Sequence, residues 1–427
     1  MPKTIATTPS WYWPDGVPRV LGIPPVSITE ATVIRPAVLG PDRPALLRET
    51  GSVGAAELVG MVGTVAAGLA PEGPGSEPGD GREDGPDAVV VCAGSSSGGV
   101  LAVLGALASE RPVVLVPPGD VGSAMAGSAD GKGGGPGPGP GRPLALGDAE
   151  GVVALAGVGI PALDVESLLA GPPPAGAPIT DRGTAAGGLR APSVRLAGRS
   201  GPVRHSPRSL LAGALAMATF VAPSPGETWL TTSSPCTWDG LCSALGALWA
   251  GATLAVTRPG DAMVEAFERH QPTWTWTSLA LAADGWAGGG RKRRRGAGTG
   301  RFVLATVDGP FDPDECRGVG SGAGAEVLTV FGMAETGPML AAHPSWHIDE
   351  SVGIPVSNMH VVPADPDTGE PVDAMWELLD RAMLSVWSPS LAVDGFDPGP
   401  GRPAGRRFVT GVLAASDPNG MLYLVDE

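Results

Sequence analysis

Short apolar runs that alternate with helix-period segments constrain this chain most. Ala88-Val89-Val90-Val91-Cys92 is too short for a stable helix and rich in β-branched residues, so it reads as a strand buried on both faces. Residues 98–108 then read as a helix and residues 112–116 as the next strand. Upstream, residues 45–69 read as a short strand followed by a helix, with Leu58, Met61, Val62 and Val65 at helical spacing. A second series runs through a helix at 209–219, a strand at 228–232, a helix near 241–249, and strands at 253–257, 273–278 and 301–305. Strands that alternate with helices predict parallel sheets with helices on both faces. The expected class is therefore α/β. Residues after His347 are strand-rich with Gly and Pro turns, which predicts a small β-barrel-like unit.

The chain is long enough for two or three substantial cores. With 66 glycines and 46 prolines it approaches low-complexity composition, but 43% apolar residues argue for folded units joined by loose connectors. Two such connectors are predicted, an acidic one at 73–86 and a Gly/Pro tract at 120–143. The expected division is an α/β subdomain over 1–190, a second over 191–345, and the barrel-like subdomain over 346–427.

One motif carries chemistry. Phe331-Gly332-Met333-Ala334-Glu335-Thr336-Gly337-Pro338 is followed by Ser351-Val352-Gly353-Ile354-Pro355-Val356, by Asp365-Pro366-Asp367-Thr368-Gly369-Glu370-Pro371-Val372, by Trp376-Glu377-Leu378-Leu379, and by Asn419-Gly420-Met421-Leu422-Tyr423-Leu424-Val425-Asp426. Upstream lie His205-Ser206-Pro207-Arg208-Ser209 and Ala250-Gly251-Ala252-Thr253. In order and spacing these pieces resemble the ANL superfamily of adenylate-forming enzymes, which includes acyl-CoA synthetases and nonribosomal peptide adenylation domains. The resemblance covers residues 42–427 and implies the large N-terminal domain of that fold: two parallel-sheet subdomains flanked by helices, plus the small barrel.

The same resemblance exposes departures. Adenylation needs backbone amides and hydroxyls around a triphosphate, a lysine as point charge, a carboxylate on Mg²⁺ and an Asp on the ribose. The family's Gly/Ser/Thr loop ends in Lys-Gly. The matching stretch here is Leu196-Ala197-Gly198-Arg199-Ser200-Gly201-Pro202-Val203, in which three hydroxyls and the Lys-Gly are gone. Gly198, Ser200, Gly201, Gly309, Gly332 and Glu335 are what remains of a nucleotide site. Ala334 stands where the family has a phosphate-binding Thr, although Glu335 keeps the Mg²⁺ carboxylate. Thr410-Gly411-Val412 replaces Thr-Gly-Asp, so the ribose carboxylate is lost. The three lysines, Lys3, Lys132 and Lys292, sit near none of these motifs. Each lost contact would be worth about 1.5–3 kcal/mol. Four or five such losses exceed what a micromolar nucleotide affinity of about 8 kcal/mol can spare. No cofactor is expected, ATP and Mg²⁺ included; no metal site is expected unless Glu335 retains Mg²⁺. The chain closes on Asp426-Glu427 where the family continues into a small mobile domain with a catalytic lysine, so that domain is expected to be absent.

An acyl or aryl group is the remaining expected ligand, free or as a thioester on CoA or a carrier protein. The stretches that match the family's acyl tunnel place Cys236, Thr237, Trp238, Val307, Asp308, Phe331 and Met333 along its wall. Cys236 is a candidate nucleophile with His205 as its base, or a small buried thiol. Glu335 is a candidate catalytic or metal-binding carboxylate, or part of a turn kept for packing. Arg199 and Arg204 are anion contacts or solvated loop charges. His205, His270, His343, His347 and His360 form no metal motif, and the four cysteines show no metal spacing.

A net charge of −16 opposes general binding to nucleic acid or anionic membrane. The basic run Arg291-Lys292-Arg293-Arg294-Arg295 reads as a solvated loop, with docking to an acidic carrier protein as its functional alternative. No signal peptide or spanning segment is evident, so a cytoplasmic protein is expected. The functional expectation is an acyl-CoA synthetase-like protein that has lost ordinary adenylation and handles an acyl or aryl intermediate in specialised-metabolite biosynthesis. Its alternatives are a non-catalytic pseudoenzyme that supports a partner synthase, and a ligase completed by a C-terminal domain in trans.

Overall fold

The computed structural model describes residues 13–69, 88–126, 144–171, 193–199, 201–287, 300–345, 348, 350–372, 379–393, 407–417 and 420–426. The 73–86 connector, the basic run 291–295, most of the 120–143 tract, Ser200, His347, residues 376–378, Asn419 and all three lysines lie outside the described residues.

The chain enters through a π-helical turn at Glu30–Ile34 and α1 (Arg35–Leu39). Where one strand was expected, a hairpin forms from β1 (Pro44–Arg48) and β2 (Gly51–Gly54). Gly51 turns the chain back at φ +136°, a conformation that L side chains rarely adopt. α2 (Ala55–Gly68) follows and buries Leu58, Val62 and Val65, as its spacing predicted.

A six-stranded sheet comes next, built from β3 (Val89–Cys92), β4 (Val113–Val116), β5 (Leu144–Gly147), β6 (Leu163–Asp164), β7 (Val194–Gly198) and β8 (Gly201–His205). Its order is β6-β5-β3-β4-β7-β8, parallel except for the β7–β8 hairpin. All four residues of β3 are buried, which explains why its sequence shows no alternation. The connecting helices are α3 (Ser97–Ala108), α4 (Val121–Ala126), α5 (Ala149–Gly157) and α6 (Val165–Ala170). The start of the supposed 120–143 linker is therefore helical, nucleated by a 3-10 turn at Pro118–Asp120.

The nine-stranded sheet contains β9 (Thr228–Thr231), β10 (Thr253–Val256), β11 (Trp274–Ser278), β12 (Phe302–Val307), β13 (Glu326–Met333), β14 (Gly337–Ala341) and β15 (Ile354–Pro355). Its order is β15-β14-β13-β12-β11-β9-β10-β1-β2, with β1, β10, β9, β11, β12 and β13 parallel. α7 (Pro207–Val221), α8 (Trp238–Ala250), α9 (Asp261–His270), α10 (Leu279–Ala287) and α11 (Pro313–Ala323) accompany it. Trp229 stacks between Trp274 and Trp276 and donates its indole N–H to Ser243 of α8 at 2.8 Å, which fixes that helix on the sheet. Strand pairing thus interleaves segments divided at 190 in the sequence: β1 and β2 join the later sheet, and β7 and β8 join the earlier one.

The third sheet is antiparallel, β16 (His360–Ala364), β17 (Leu379–Trp387), β18 (Phe408–Ser416) and β19 (Leu422–Leu424) in sequential order. One hydrophobic cluster runs through all three sheets, and a second lies on the face of the first sheet that carries Val90 and Cys92, joined there by Leu155 of α5. No helix of the described residues is long and apolar enough to cross a membrane.

Candidate functional site

Three separate segments meet beyond the C-terminal ends of β12 and β13. The β7–β8 turn at Gly198–Gly201 supplies the first. The backbone amide of Arg199 donates to Glu335 Oε1 at 3.3 Å, and its guanidinium donates to the carbonyl of Asp308 at 3.0 Å. Gly198, Gly201 and Glu335, read as remnants of a nucleotide loop, and Asp308, read as part of the acyl wall, are therefore one neighbourhood. Gly198 is tightly enclosed there: a Cβ at this position would lie 2.8 Å from Glu335 Oε1 and 2.2 Å from Val203. Glu335 Oε2 is buried and has no hydrogen-bond partner among the described residues.

His205 ends β8 and is only 1% exposed. Its Nε2 lies 2.6 Å from the Ala334 carbonyl, which can only accept, so Nε2 carries the proton and Nδ1 faces the Ser209 hydroxyl at 3.1 Å. The ring thus ties β8 to the turn after β13. Ser206 and Ser209 form a capping box at the start of α7, with Pro207 in its first turn. From the other side, the segment after β17 clamps the same turn. Ala392 N–H donates to the Glu335 carbonyl, Ser390 Oγ to the Thr336 carbonyl, and Val393 N–H to the Arg204 carbonyl.

Gly332 has a packing role. A Cβ there would meet the Gly337 carbonyl oxygen at 2.5 Å and the Trp238 ring at 2.7 Å. Trp238, half-buried in the first turn of α8, therefore lies directly on the motif. Phe331, Met333 and Val307 are buried beside it, while Gly309 is open. Thr237 caps α8, its hydroxyl 2.6 Å from Asp239 Oδ1 and 2.8 Å from the Ser234 carbonyl; Ser233 holds the second Asp239 oxygen.

Cys236 and His205 do not form a nucleophile–base pair. Cys236 is fully buried, its thiol donates toward the Val91 carbonyl, and burial pushes its pKa up to about 12. Both nitrogens of His205 are engaged elsewhere. The inert thiolate-free reading of Cys236 is the one this geometry supports. His343 is likewise structural, packed edge-on against Phe220, with its pKa lowered by burial.

A network without any sequence motif holds the two parallel sheets together here. Ser95 Oγ donates to the Thr232 carbonyl at 2.6 Å, and Ser234 Oγ to the Ala93 carbonyl at 2.7 Å. Behind it, Asp148 accepts from Gly94 N–H, Gly151 N–H and Ser96 Oγ. The position of Ser95 and Ser234 was the available signal, since each lies three residues past the end of a buried strand.

Residues 198–376 match the family model described as AMP-binding enzyme. That match spans less than half of the chain. It opens at the β7–β8 turn and includes His205, Trp238 and Glu335. Among solved structures, the chain is similar to a long-chain-fatty-acid-CoA ligase from Archaeoglobus fulgidus, at TM-score 0.74 and 13% identity over 97% of this chain and 86% of that one. It is also similar to the nonribosomal peptide synthetase FmoA3, at TM-score 0.71 and 18% identity over 96% of this chain and 43% of that one. A benzoate CoA ligase from Burkholderia xenovorans LB400 gives TM-score 0.70 and 17% identity over 93% and 79%. The chain thus shares the fold of these ligases and of the synthetase. No curated protein matches the chain by sequence. Among the described residues, no cluster of His, Cys, Asp or Glu is arranged to hold a metal ion.

Proposed function

We propose that this chain binds an acyl or aryl group, free or as a thioester, on an adenylate-forming fold that does not use ATP in the ordinary way. The supporting observation is the closure of the β7–β8 turn on itself. Its amide at Arg199 is consumed by Glu335, and its one strong cation is consumed by the Asp308 carbonyl. A phosphate loop must hold its donors free for oxygens of the ligand; a carboxylate placed on the loop repels them instead. Ala334 offers no hydroxyl, and Val412 offers no carboxylate to a ribose. These residues do not fit Mg-ATP.

What the fold retains at this end of β12 and β13 is apolar surface on both faces: Trp238 on the side of Gly332, and buried Phe331, Met333 and Val307 on the other. Such an apolar lining, without an activating base, suits holding an acyl intermediate more than forming one. A biosynthetic complex that presents this intermediate on CoA or a carrier protein is the matching context.

One observation favours a second reading. The buried, unpartnered Glu335 Oε2 is where a cation would sit if adenylation survived with a mobile domain in trans. Calorimetric titration with Mg-ATP, and separately with a hydrolysis-resistant acyl-adenylate mimic, decides between them. Silence for both, with saturable binding of an acyl thioester, is expected. Binding of Mg-ATP tighter than about 100 μM would overturn the proposal.

A further inference from the structure

A cleft lies at the opposite edge of the nine-stranded sheet. It is bounded by Pro44 at the start of β1 and Ala252 just before β10, whereas Asp308 follows the end of β12. β1, β10 and β12 run in the same direction, so the cleft and the Glu335 neighbourhood occupy opposite ends of parallel strands. Its floor is apolar, formed by Val33, Ala55, Leu58, Leu248 and Ala252, all buried; Leu39 rises as an exposed wall. The cavity volume, about 80 Å³, has room for a short hydrocarbon tail and excludes a nucleotide or pantetheine.

Two arginines stand at the rim, in a chain whose net charge is −16. The Arg35 guanidinium sits 4.3 Å from the ring centroid of Trp249, which also lines the cleft. The stem of Arg43 packs over Gly40, where a Cβ would come within 2.7 Å of its Cδ. Both side chains are thereby held in place, yet neither makes an ion pair among the described residues. Asp42, next to Arg43 in sequence, and Glu57, in the first turn of α2, pair with neither. α2 starts at Ala55 without a side-chain cap, but its first two amides donate to the carbonyls of Arg43 and Pro41, and the C-terminal carbonyls of α8 are taken by the amides of Gly251 and Ala252, so the charge at the rim is that of the two arginines.

We propose that this cleft binds a short apolar monocarboxylate, its tail over Leu58 and Leu248 and its carboxylate at Arg35 and Arg43. An apolar floor with fixed, unpaired guanidinium donors at its mouth selects an amphipathic anion: the tail gains burial, and the arginines offer charge-assisted bonds. The site is independent of the acyl wall at the other edge, so its occupancy says nothing for or against adenylation there.

The test is titration of the full-length protein with hexanoate, followed by calorimetry and ligand-observed NMR, beside uncharged hexanol and the R35Q/R43Q double variant. Both arginines are exposed, so the variant should fold, which its circular dichroism melt verifies. One saturable hexanoate site, at least about tenfold weaker in R35Q/R43Q and unchanged in Glu335→Gln, is the expected result. Hexanol should bind no better than hexanoate does to the double variant. Binding that R35Q/R43Q leaves unchanged, binding lost in Glu335→Gln, or no saturation by about 10 mM hexanoate each overturns the proposal.

Discussion

Two glycine-containing loops follow strands of the six-stranded sheet, and they have opposite fates. The one after β3, Gly94-Ser95-Ser96-Ser97-Gly98-Gly99, is by composition the better anion cradle, opening directly onto α3. The one between β7 and β8 carries the family motif yet has fewer hydroxyls. In the first, several donors are already committed: Asp148 takes Gly94 N–H and Ser96 Oγ, Ser96 takes Gly99 N–H, and Ser95 bridges to the other sheet. In the second, Glu335 and the Asp308 carbonyl take what Arg199 offers. Composition makes a loop capable of binding phosphate; the destination of its amides decides whether it does.

The sharpest way to break the comparison is Asp148→Ala. It strands two backbone donors and a hydroxyl around a residue only 5% exposed. A loss of about 4 kcal/mol is expected, read as a lower urea midpoint. A loss below about 1 kcal/mol would mean that water satisfies the loop and that it remains open to ligands.

Alkaline pH probes the same region through its thiols. Burial raises the pKa of Cys236 from 9.0 to about 12, and Cys92 is raised to about 12 by burial and by Asp148 and Glu150. The unfolded chain releases these protons first, so stability is whole below pH 9 and declines as pH climbs toward 12. For Cys236 this amounts to about 2 kcal/mol by pH 10.5, and Cys236→Ala should flatten that part of the denaturation profile. A profile identical in wild type and variant would place the thiol in contact with solvent.

Gly332→Ala comes next. Its new methyl would press on the Gly337 carbonyl and on Trp238, at a cost of about 1–3 kcal/mol. Combining it with Trp238→Phe should recover part of that cost, because one of the two obstructions is the indole ring. No recovery would show that the backbone contact alone makes this glycine necessary.

These outcomes bear on how far the sequence could be read. Buried strands such as β3 were legible because their apolar runs carry burial on both faces. β2 was not, since Gly51-Ser52-Val53-Gly54 buries Val53 alone and has no periodicity to detect. In the site, the motif placed Gly332, Glu335 and the β7–β8 turn in one neighbourhood. The work of His205 was illegible because its partner is the backbone carbonyl of Ala334, a group that every residue possesses. The same holds for Ser390 and Ala392, which clamp the motif turn through main-chain atoms. The interleaving of β1 and β7 between sheets was hidden for a related reason: pairing partners far apart in sequence leave no local pattern.

The smallest effect is expected at the motif loop itself, and it is the most informative. Arg199 is largely exposed and its side chain bonds only the Asp308 carbonyl, its bond to Glu335 being made by the backbone amide, so Arg199→Ala should change stability by less than about 1 kcal/mol. If loss of family residues rather than closure by Arg199 silences the loop, this variant should remain blind to Mg-ATP in calorimetry. If instead the Arg199 side chain acts as a latch on an otherwise competent site, its removal should release the turn from the Asp308 carbonyl while the backbone bond to Glu335 Oε1 stays, and Mg-ATP binding should emerge. The first result would make the contrast between the two loops one of degree, since both would be structural. The second would restore the β7–β8 turn as a phosphate loop held shut by a single side chain.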